Sequence, residues 1–132
     1  MQRFYRFSAS FLGAGLLTLG VIHAAVAEVP YASGGIGDDD PIEVEAMRNE
    51  YNLQLVFAEQ GSGAYLADVK VRIQDAAGQT VLVAHSPGPL FYVSLRPGRY
   101  RVDADYNGGV LSKAASVGEG RRRELYFYWP HE

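Results

Sequence analysis

The sequence predicts a mainly β protein: an antiparallel β-sandwich of about seven short strands with one short N-terminal helix. From Leu53 onward the apolar residues recur with period two, the spacing that places alternate side chains on one face of a sheet. Turn-forming clusters break that pattern at short intervals, among them Gly61-Ser62-Gly63, Asp75-Ala76-Ala77-Gly78, Arg96-Pro97-Gly98 and Asn107-Gly108-Gly109. No helical pattern separates one strand from the next. That excludes βαβ units and points to antiparallel sheets packed face to face.

Residues 1–27 read as a secretory signal peptide. Arg3 and Arg6 supply a basic start, Phe11 to Ile22 an apolar run, and Ala25-Val26-Ala27 the small-x-small pattern of a cleavage site. The run is shorter than the ~20 residues that span a bilayer. The expected mature chain begins at Glu28 and is periplasmic or secreted, with no membrane insertion after cleavage. Losing Arg3 and Arg6 takes its formal net charge from −3 to −5. That balance argues against nucleic acid, which requires a basic footprint. The chain has no cysteine, so no disulfide supports its core and no thiol is available for lipid anchoring.

The mature part divides into residues 28–52, a lead-in loop and a capped helix, and residues 53–132, the sandwich. Glu28 to Gly37 reads as irregular. Asp40 is placed to cap the helix, Pro41 to occupy its first position and Glu43 to complete a capping box. Val44, Met47 and Tyr51 form one apolar stripe, and Asn52 reads as the stop. Leu53, Leu55 and Phe57 begin the alternation. Val69, Val71 and Ile73 alternate with Lys70, Arg72 and Gln74 as a half-buried strand. Strands follow at 79–85, 90–95, 100–106, 110–117 and 122–129. The expected core contains Leu55, Phe57, Val69, Val71, Ile73, Tyr100, Val102, Phe127 and Trp129.

The segment Leu66 to Gly108 resembles the carboxypeptidase regulatory-like family of transthyretin-like β-sandwiches. The residues that carry the resemblance are Val69-x-Val71-x-Ile73-x-Asp75-x-x-Gly78, then Leu95-Arg96-Pro97-Gly98-Arg99-Tyr100-Arg101-Val102, then Gly108. The resemblance implies a fold rather than an activity, in a small exported bacterial protein. Most such modules are accessory, adhesive or structural. One relative, hydroxyisourate hydrolase, needs clustered histidines with arginine and a C-terminal Tyr-Arg-Gly-Ser, where this chain reads Tyr128-Trp129-Pro130-His131-Glu132.

Few residues suggest chemistry. His85 and His131 have no acidic partner at ligand spacing and read as surface histidines. Asp38-Asp39-Asp40 lacks the alternating oxygen ligands of a calcium loop, and helix capping accounts for Asp40; whether the cluster binds a cation stays open. Gly34-Gly35-x-Gly37 lacks the strand and spacing of a nucleotide fingerprint. Ser33, Ser62 and Ser86 lie among turn formers without a base. The chain therefore reads as no enzyme, with no cofactor, no metal and no catalytic residue.

The expected function is a non-catalytic exported binding or accessory module for an unknown protein or glycan partner. A structural subunit of a cell-envelope complex, joined through a sheet edge or aromatic face, is one alternative. A hydrolase or metal-dependent enzyme on the same scaffold is the other. The candidate contact surface is Tyr126 and Tyr128 with Arg121, Arg122 and Arg123. With Leu125, Phe127 and Trp129 inward, the two tyrosines face outward. The stripe of Val44, Met47 and Tyr51 is expected to cover them, and Arg121–Arg123 reads first as a solvated turn that protects a strand edge.

Overall fold

The computed structural model describes residues 29–35 and 49–131. Eight strands run in chain order: β1 (Tyr31–Gly34), β2 (Leu53–Glu59), β3 (Val69–Asp75), β4 (Thr80–Ser86), β5 (Leu90–Val93), β6 (Gly98–Tyr106), β7 (Gly109–Val117) and β8 (Arg123–Trp129). They form two four-stranded sheets, ordered β1-β5-β2-β8 and β4-β3-β6-β7. The result is a two-sheet β-sandwich consistent with the transthyretin-like fold expected from the sequence. The signal segment, the aspartate cluster and the helix residues Asp40 to Met47 lie outside the described residues.

Local chemistry closes the hairpins where the sequence marks them. At the β3–β4 turn the Asp75 carboxylate accepts from the backbone N–H groups of Ala77 and Gln79, both at 2.9 Å, and Gly78 takes φ 85°. The β6–β7 loop is Asn107-Gly108, with φ 51° and 89°. Positive φ at both central residues is the two-residue hairpin turn whose twist suits the flanking strands.

The inward faces of both sheets make one core. Phe57, Phe91 and Phe127 meet Val69, Val71, Ile73 and Val102 across the sandwich, and all seven are essentially sealed from water. Each such side chain contributes roughly 1.5–3 kcal/mol relative to an exposed one. The alternation Val69, Val71, Ile73 against Lys70 and Arg72 appears as buried against exposed. Of the expected core residues, Tyr100 alone is half-buried: its hydroxyl donates to the Arg96 carbonyl at 2.7 Å, so the ring stays at the rim.

Three sequence expectations are corrected. Tyr31–Gly34 is a strand rather than part of an irregular lead-in, and pairs with β5. It is too short to show a period; pairing to Val93 and Leu90 and the Tyr31 ring on Phe91, centroids 5.3 Å apart, hold it. The strands are not all antiparallel, because β2 and β8 run parallel in register from Leu53↔Arg123 to Glu59↔Trp129. A parallel pair needs a long crossover, and the strands between β2 and β8 supply it by shuttling between the sheets. Finally, Asn52 does more than end a helix. Its Nδ2 donates to Leu95 O at 2.7 Å and its Oδ1 accepts from Leu95 N at 3.0 Å, fixing the loop after β5.

Candidate functional site

From Glu124 onward β8 alternates exposed and buried side chains: Leu125, Phe127 and Trp129 point into the core, Glu124, Tyr126 and Tyr128 out. Among the described residues β8 is the edge of its sheet, hydrogen-bonded to β2 alone. Tyr126 and Tyr128 are 41% and 48% exposed, and their near-parallel rings stand with centroids 6.2 Å apart. A third tyrosine joins them. Tyr65, 55% exposed, bridges to Ala58, the residue that faces Tyr128 in the β2–β8 register. The small Ala58 side chain leaves the ring on either side standing proud of the sheet. The Tyr126 hydroxyl lies 3.5 Å from Glu124 Oε1, and the carboxylate's charge, then partial burial, raises the phenol's pKa.

Of the helix stripe expected to cover these rings, Tyr51 is the one described residue. Tyr51 packs on the same outer face against Val56, the register partner of Tyr126, and against Leu90 and Tyr92, with the Tyr51 and Tyr92 centroids 6.2 Å apart. Val44 and Met47 lie outside the described residues. β2 and β5 are thus buried on both faces, and the three tyrosines remain at the β8 margin.

Arg121, Arg122 and Arg123 sit at the opposite end of β8 from Tyr128. All three are exposed, and Arg121 and Arg122 border a shallow hollow of about 370 Å³ with residues 49–52. Arg123 carries the parity of the core residues and anchors the strand through its N–H to Asn52 O, at 3.0 Å. The structure therefore brings Tyr126 and Tyr128 together and adds Tyr65, but it sets the arginines at the strand's start. Tyr65 was not legible in the sequence, since it lies in an aperiodic loop and reaches the patch through a single bridge.

Both histidines described have an acidic partner that sequence spacing did not show. His85 Nε2 is 3.3 Å from Asp68 Oδ1, with both side chains in open solvent. His131 Nδ1 is 2.8 Å from Glu59 Oε2. The parallel register explains the second contact: Glu59 faces Trp129, so the residue two further along reaches its carboxylate. The Ser62 hydroxyl donates to Glu59 Oε1 at 2.5 Å, and these hydrogen bonds, Ser62 before His131, hold the Glu59 carboxyl below its usual pKa. Among the described residues no three His, Cys, Asp or Glu side chains converge as a metal site requires.

No family model matches the sequence, and a search of curated proteins finds no match. Among solved structures the chain is similar to the 5-hydroxyisourate hydrolase of Klebsiella pneumoniae. The two share 15% identity over 59% of this chain and 88% of that one, with a TM-score of 0.47. Against the expectation that the chain is no enzyme, that solved protein is a hydrolase.

Proposed function

We propose that the mature chain is an exported, carboxypeptidase regulatory-like binding module that takes a protein partner on the outer face of β8. The observation that supports it is the grouping of Tyr126 and Tyr128 on an edge strand with Tyr65 of the loop bridged to Ala58, each more than two-fifths exposed. Outward positions of an edge strand ordinarily carry charge or proline to prevent association. Rigid aromatics there supply contact area at low entropic cost and dominate many protein interfaces. The arginines at the start of β8 add a charged rim, which steers a partner more than it holds one. Export rests on the Phe11–Ile22 run and Ala25-Val26-Ala27, and it places the partner in the cell envelope or outside it.

The test compares the mature protein with a Tyr126→Ser/Tyr128→Ser variant as bait in envelope extract, with captured proteins identified by mass spectrometry. Both changes are at exposed sites, where the stability cost is usually within about 0.5 kcal/mol each. A partner held by the wild type and lost from an equally stable variant supports the reading. Identical captures by both baits would remove β8 as the binding face.

A further inference from the structure

A cleft of about 610 Å³ lies at the end of the sandwich where β2 and β8 finish and the β6–β7 hairpin turns. That volume falls within the range of small-molecule sites, ~300–1,000 Å³. Among the described residues its walls carry one carboxylate, Glu59, and apolar or aromatic surface from Leu66, Tyr106 and Trp129. His131, which contacts Glu59 through Nδ1 at 2.8 Å, also lines it; among the described residues no lysine or arginine does.

The Glu59 side chain is 25% exposed at the mouth of the cleft. Ser62 and His131 each engage one of its oxygens. An ionised carboxylate offers about four lone-pair sites, so both oxygens retain acceptor capacity. The aromatic wall is rigid: Trp129 Nε1 donates to Gly109 O at 2.7 Å, and the Tyr106 and Trp129 centroids stand 5.7 Å apart at 55°. Trp129 is 4% exposed and presents little of its ring, which disfavours the flat stacking a sugar needs. What remains is an anionic acceptor beside a fixed apolar wall.

We propose that this cleft binds a small ligand bearing a cationic amine on an apolar stem. The ammonium meets the Glu59 carboxylate and the stem lies along Leu66 and the Tyr106 ring, touching Trp129 only at its exposed edge. The site is separate from the tyrosine face of β8 and does not depend on it.

Trp129 is the one tryptophan of the chain, so its fluorescence reports occupancy directly. n-Butylammonium chloride is titrated into the mature protein beside 1-butanol and sodium butyrate, which keep the stem and replace the cation by a neutral group or an anion. The expected result is a saturable change with butylammonium alone, and at least tenfold weaker binding in Glu59→Gln. In the wild type the backbone amide resonances of Asn107 and Gly109 should shift with the same midpoint, which keeps the test decisive even where the variant folds poorly. An equal response to butanol or butyrate, unchanged affinity in a folded Glu59→Gln, or no saturation with butylammonium overturns the proposal.

Discussion

Replacing Asn52 with alanine tests whether one side chain holds the loop after β5. The alanine keeps the backbone bonds that Asn52 makes, its N–H to Val93 O and its carbonyl from Arg123 N–H. It removes both side-chain bonds to Leu95, at 2.7 and 3.0 Å. Leu95 is 6% exposed, so water does not readily replace them. A buried backbone group left unpaired costs about 1–3 kcal/mol. Two such groups at a rim that can partly rehydrate give an expected loss of about 2–4 kcal/mol. Asn52→Asp sharpens the argument. It keeps the acceptor for Leu95 N–H but sets a carboxylate oxygen against Leu95 C=O, so at neutral pH it should lose nearly as much as alanine. Urea unfolding followed by Trp129 fluorescence measures both variants. A loss below about 0.5 kcal/mol for alanine, the range of an ordinary surface change, or wild-type stability for aspartate, would refute the reasoning.

Two further expectations concern the second sheet and the seam between the sheets. Asp103 is raised by burial but lowered more by hydrogen bonds from Ser112, Arg72 and Arg101, so its folded pKa lies below the ordinary 3.8. A depressed carboxyl contributes stability above its unfolded pKa and loses it as pH falls through the folded value; the stability of Asp103→Asn should therefore fall less steeply than wild type from about pH 4 downward, and parallel curves would contradict the network. At Gly88 a Cβ would press into the Gly34 carbonyl of β1, and Gly88 N also donates to Ser33 Oγ at 3.2 Å. Gly88→Ala should cost about 1–3 kcal/mol as overpacking does in denaturant titration, with faster amide exchange in residues 31–34, whereas unchanged exchange there would show that β1 yields without leaving β5.

Much of the sandwich was determined by the sequence alone, because the strongest signals are local. Period two over Val69 to Ile73 and Arg123 to Trp129 assigns each side chain to a face wherever one face is buried. Asp75-x-x-Gly78 and Asn107-Gly108 carry their turn chemistry within four residues. The outward direction of Tyr126 and Tyr128 follows from the same alternation. Other features were decided by the tertiary structure, since they depend on which strands meet. β1 has too few residues for a period and exists through its pairing with β5. The parallel β2–β8 register depends on how the chain crosses between sheets, and it alone brings His131 to Glu59 across 72 residues. Tyr65 joins Tyr128 across Ala58 for the same reason. Asn52 reads as a helix stop because its composition is that of a stop, but the Leu95 backbone it binds is 43 residues away. Local propensity specifies which face a residue takes; long-range pairing specifies which residues share a site.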